Sequence, residues 1–85
     1  MNQDDLITRL IEVREEQRKT REQRDYAHRR LVKVLDNVGR LDTDSKTTIL
    51  AMVQRYARYV FIVGCLNKEY RLIKDRLVNK EFAND

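Results

Sequence analysis

Few residues in this 85-residue chain have the types and spacing that chemistry demands: one histidine, one cysteine and a close pair of carboxylates at Asp42 and Asp44. His28 stands between Arg24 and the Arg29–Arg30 pair, where an imidazole is expected to pair or face solvent rather than act as a base. Cys65 lies in the apolar run Tyr59–Leu66 with no neighbouring base to make it a thiolate, so it is expected to pack as a small apolar side chain. One cysteine and one histidine cannot fill the four positions of a structural zinc site. Asp42-Thr43-Asp44 opens like a calcium loop, but the glycine and closing glutamate such a loop needs are missing, which leaves a turn and a helix cap. No glycine-rich phosphate loop is present. The expectation is a non-enzymatic protein that uses neither metal nor cofactor.

Arginine is the remaining chemical resource. The chain carries 18 Lys+Arg against 14 Asp+Glu, and the net charge of +4 falls entirely between Arg9 and Lys33. Arginine suits forked contacts with carboxylate or phosphate. Arg14, Arg18, Lys19, Arg21, Arg29, Arg30 and Lys33, with Tyr26 among them, are the candidate contacts for a nucleic-acid backbone or an acidic partner. The competing reading is a solvated helix face, with pairs such as Glu15–Lys19 and Asp25–Arg29 worth about 0.2–0.5 kcal/mol each.

These side chains must be carried by long helices, because the chain has no proline and only two glycines. A series at spacings of three and four runs through Leu6, Leu10, Val13, Gln17, Thr20, Arg24, Ala27, Leu31, Val34 and Val38, an apolar heptad seam whose three central members, Gln17, Thr20 and Arg24, are polar. Asn2 is the expected N-cap and Gly39 the expected stop. After the capping cluster Asp42–Ser45 a second seam runs Ile49, Met52, Tyr56, Tyr59, Val63, Leu66, Tyr70, Ile73 and Leu77. The reading is all-α: one domain over residues 1–85, with helix one about 3–38, a turn at 39–43 and helix two about 44–82. Helices of matched length on a short turn fold back as an antiparallel hairpin. Arg24 is expected to lie over Tyr56 or Tyr59.

Helix two carries more apolar surface than helix one can cover. Leu50, Val53, Ala57, Val60 and Gly64 form another three/four series turned about 100° from the first, with Phe61 and Cys65 at its margin. A second copy covers such a face most simply, giving a dimeric four-helix bundle. Ile7, Ile11, Val32 and Leu35 flank helix one at its ends and add to the same assembly. A break of helix two at Gly64 into a three-helix monomer and a hetero-partner are the rival solutions.

The expected function is a self-associating helical-hairpin adaptor that presents charged helix faces to a protein partner. The alternative is a dimeric basic hairpin that binds duplex RNA or DNA along the backbone. That plan resembles small viral helical-hairpin dimers that coat double-stranded RNA as silencing suppressors. The resemblance lies in architecture, and it implies recognition of A-form shape without base reading. No membrane span is expected, since the Tyr59–Leu66 run is far shorter than the roughly 20 residues required. Membrane-surface binding by helix one ranks last. A single cysteine and no secretory apolar segment suit an intracellular setting, cytoplasmic or nuclear.

Overall fold

The computed structural model describes residues 2–39 and 42–83, with side chains placed through Asn79. Two helices, α1 (Gln3–Asp36) and α2 (Thr43–Ala83), make up the fold and pack against each other. The molecule is a rod of 66 × 17 × 15 Å. The rod follows from the heptad patterns, which bind the helices along their full length instead of at one crossing.

Local chemistry sets the ends. Asn2 has extended backbone and its side chain accepts from the Asp5 amide at 2.8 Å, with Asp4 and Asp5 in the first turn where the helix dipole favours anions. Asp42 caps α2 in the same way, its Oδ1 accepting from the Ser45 amide at 2.7 Å. That bond holds the Asp42 carboxyl below its ordinary range. The stop of α1 differs from expectation. Asn37 closes the helix, donating from its side-chain Nδ2 to the Lys33 carbonyl at 2.7 Å, and no described glycine has a positive φ. Asn37 satisfies the exposed carbonyl two residues before Gly39, so Gly39 is left to the turn. Helix α2 runs unbroken through Gly64, which removes the three-helix alternative.

The interface is the one the two seams define. Every seam position is buried or half-buried. The order of contacts is antiparallel: Gln17 meets Asn67, and His28, farther along α1, meets Tyr56, earlier along α2. The core proper is off-centre. Leu6, Val13, Leu66 and Ile73 form the buried cluster, joined by Leu10, Tyr70 and Leu77, all in the half away from the turn. In the turn half α1 buries Ala27 and Leu31, while Ile49, Met52, Tyr56 and Tyr59 of α2 are only half-buried.

Candidate functional site

The surface is organised by residues seven apart, which stack in columns along a helix. Two columns flank the α1 seam, and contacts show which edge of α2 each one meets. On the first edge stands Ile7–Arg14–Arg21–His28–Leu35. Arg14 lies over the Tyr70 ring at 4.7 Å, Arg21 donates to Asn67 Oδ1 at 3.0 Å, and the His28 and Tyr56 rings sit 5.4 Å apart. Asn67 shares its α2 column with Val53 and Val60. The neighbouring α2 column is Leu50–Ala57–Gly64. The second apolar series therefore lies on the same side of the hairpin as the Ile7–Leu35 column.

That series is uncovered. Leu50 is 56% exposed, Val53 41%, Val60 44% and Phe61 71%, and Ala57, Gly64 and Cys65 are exposed beside them. A Cβ placed on Gly64 would meet nothing within 4 Å. Cys65, expected to be packed, is instead a free exposed thiol. Val32 and Leu35 of α1, 41% and 50% exposed, extend the apolar surface across the hairpin near the turn, and Ile7 and Ile11 expose 46% and 65% at the far end. The rod exposes 6949 Å² in all, where a compact chain of 10.3 kDa exposes about 5,400 Å².

The second edge joins the α1 column Arg9–Glu16–Gln23–Arg30 to the α2 column Arg55–Ile62–Glu69. Arg9 clamps Glu69 in a fork, with Nε to Oε1 at 2.7 Å and Nη2 to Oε2 at 3.1 Å, and also donates to Glu12 and Glu16. These bonds hold Glu69 below, and Arg9 above, their ordinary ranges. At the turn end of this edge Gln23, Tyr26, Ala27, Arg30, Met52, Arg55 and Tyr59 line a groove of about 170 Å³. The sequence reading included Arg30 and Tyr26 but missed Arg55 and Tyr59 as their neighbours. Folding the two columns against each other is the signal that finds them.

The candidate basic contacts do not form one stripe. Arg14 and Arg21 belong to the first edge and Arg30 to the second, while Lys19, Tyr26 and Lys33 share the α1 column next to the second edge, with Tyr26 reaching the groove. Arg18 is held by Glu15 at 2.6 Å and Glu22 at 2.8 Å, and Lys19 approaches the same Glu15 at 4.0 Å, so the expected Glu15–Lys19 pair is present. Arg18 also holds Glu15 below the usual carboxylate range. The expected Asp25–Arg29 pair is absent among the described residues, because Arg24 takes Asp25 at 3.1 Å. That contact also replaces the expected stacking of Arg24 on Tyr56 or Tyr59: a carboxylate one residue away outcompetes a ring face on the other helix. Arg29, Arg30 and Lys33 have no carboxylate partner among the described residues; Arg30 lies 5.8 Å from the Tyr26 ring.

Among the described residues no cluster of three or more His, Cys, Asp or Glu is placed to hold a metal ion. By length and composition α2 contains an 18-residue stretch apolar enough to cross a membrane, which the shorter uninterrupted run had not suggested; Arg55 and Arg58 fall inside it and only 11% of it is buried. Compared with protein-family models, curated proteins and solved structures, the chain matches none.

Proposed function

We propose that this protein is a non-enzymatic, self-associating helical-hairpin adaptor that pairs through the uncovered flank of α2 and offers its charged edges to a protein partner. The observation that carries the reading is the continuous exposure of Leu50, Val53, Val60 and Phe61 on one side of α2. Contiguous apolar surface of this kind marks an interaction site. A two-helix chain of this size also buries too few side chains to stand easily alone. Ala57 and Gly64, with open space over Gly64, permit close approach of a second α2. Lipid is the weaker occupant, since Arg55 and Arg58 would each cost about 2.5–3.5 kcal/mol near a bilayer centre. The exposed Cys65 thiol suits a reducing, intracellular compartment.

Light scattering after size exclusion, across a dilution series, tests the reading. The native chain is expected to run at twice its sequence mass. Val60→Glu is expected to run as monomer or to lose its helical signal, because it buries an unpaired charge in the interface. A well-folded dimeric Val60→Glu variant would overturn the assignment of the interface.

The nucleic-acid alternative draws on Arg29, Arg30 and Lys33, which no described carboxylate neutralises. Against it stands the distribution of the basic set around α1 and the neutralisation of Arg9 and Arg18 by five acids. Titration with duplex RNA and duplex DNA at two salt concentrations separates the readings, since backbone binding collapses with salt.

A further inference from the structure

The Arg9–Glu69 edge is closed at one end and open at the other. Where Arg9 meets a carboxylate, the matching position at the turn end sets Arg30 and Arg55 into one groove, and none of the groove's lining residues is acidic. Neither guanidinium has an ion pair or hydrogen-bond partner among the described residues. Two like charges lining one groove with Ala27, Met52 and two phenol rings repel each other more than they would in open water. An oxyanion between them turns the repulsion into two attractions, and planar guanidinium forks match a carboxylate in geometry.

We infer that this groove is a docking site for an acidic segment of a partner protein, with Arg30 and Arg55 clamping a side-chain carboxylate and an adjoining apolar side chain seated on Tyr26, Tyr59 and Met52. The inference rests on the adaptor reading and names the partner's chemistry. Charge along the edge favours a short peptide over a nucleic-acid backbone. A polyanion running on past the groove meets Glu12, Glu16 and Glu69, whereas a short segment ends before them. The groove lies on the opposite edge from Asn67 and the apolar flank, so self-association leaves it open.

The test is a calorimetric titration of the full chain with a short synthetic peptide in which glutamates flank one phenylalanine, paired with amide chemical-shift mapping. The same peptide with glutamines, inorganic phosphate and duplex RNA are the comparison probes. Saturable binding is expected, with shifts centred on Tyr26, Arg30, Met52, Arg55 and Tyr59, and with no binding of the glutamine peptide. Inorganic phosphate is expected to compete weakly at the same residues. Arg55→Glu, which rebuilds at the turn end the bridge found at Arg9, should keep the fold and weaken the peptide by about tenfold or more. Arg29→Gln with Lys33→Gln removes as much charge and should leave the affinity nearly unchanged. Shifts elsewhere, equal binding of the glutamine peptide, tighter binding of duplex RNA, or an Arg55→Glu variant that binds normally would overturn the inference. Mass by light scattering in the same samples reads self-association separately, so failure of the groove and failure of the dimer are distinguishable.

Discussion

The two halves of the hairpin obey the same heptad rule and reach different ends. Away from the turn, Val13 is fully buried, and Leu6, Leu66 and Ile73 close around it. Long-range polar contacts lock that half: Arg9 to Glu69 and Gln17 to Asn67. Toward the turn the seam is filled by half-buried Ile49, Met52, Tyr56 and Tyr59, and the largest exposed apolar series lies beside them. One half looks finished as a single chain and the other does not. The difference arises because the turn half of α2 carries apolar residues on several sides while α1 offers one stripe. The unfinished half is the surface on which the proposed pairing would act.

The sharpest way to break this contrast is to truncate one leucine in each half. Leu66→Ala removes a buried side chain and should cost about 2–5 kcal/mol in chemical denaturation at any protein concentration. Leu50→Ala removes a side chain 56% exposed in the single chain, where such changes usually stay within about 0.5 kcal/mol. If the flank is an interface, Leu50→Ala should instead lower stability by well over that amount, with a loss that shrinks as protein concentration rises. A small effect independent of concentration would mean that the turn half is complete as it stands.

Gly64 gives the next largest expected effect, and its sign is informative. In a lone hairpin Gly64→Ala should stabilise α2 by about 1 kcal/mol, since glycine is a poor helix former and the new Cβ meets nothing. In a dimer where two α2 helices cross at Ala57 and Gly64, the same methyl holds them apart. Self-association should then weaken measurably by analytical ultracentrifugation even as helicity rises.

How far the sequence reveals this contrast depends on what each residue's position depends on. Both seams are legible position by position, because hydrophobic burial at a fixed helical period is a large and collective effect; Val13 and Leu66 could have been named from spacing alone. The exposed series Leu50–Gly64 is legible as an excess over what α1 can cover. The polar contacts are not. Arg24 chooses Asp25 over a tyrosine face, and Asp25 abandons Arg29, on differences of tenths of a kcal/mol between long flexible side chains. The stop of α1 is missed for a similar reason: Asn37 and Gly39 are both good terminators, and only the geometry of the Lys33 carbonyl selects between them. The groove at Arg30 and Arg55 needs both helices in register, which periodicity on one helix cannot supply.

A smaller effect tests the polar lock in the finished half. Gln17 is buried, its Nε2 donates to Asn67 Oδ1 at 2.9 Å, and its own Oε1 has no partner among the described residues. Gln17→Leu gives up one hydrogen bond but also removes a buried acceptor that nothing satisfies, and Asn67 keeps its bond from Arg21. The expected result is a melting temperature unchanged or higher by a few degrees. A single Gln placed among apolar neighbours fixes register at a cost in stability, so the variant should also show broader amide resonances if alternative registers become populated.

The smallest expected effect is at Glu69, and it is read through pH. The Arg9 fork lowers the folded-state pKa of Glu69 relative to the unfolded chain. The unfolded carboxylate then takes up its proton first as pH falls, so the stability contributed by the pair is fully present above about pH 4–5 and is lost as pH drops through the depressed folded value. Glu15 with Arg18 adds a contribution of the same sign. Glu69→Gln should therefore flatten the acid limb of a melting-temperature profile while leaving the neutral region close to that of the native chain, because both partners are partly open to solvent. Salt should narrow the gap further. An equal loss at every pH would instead assign the fork a packing role: the Arg9 and Glu69 stems would be covering the seam beside Val13 and Leu66, with the charges incidental.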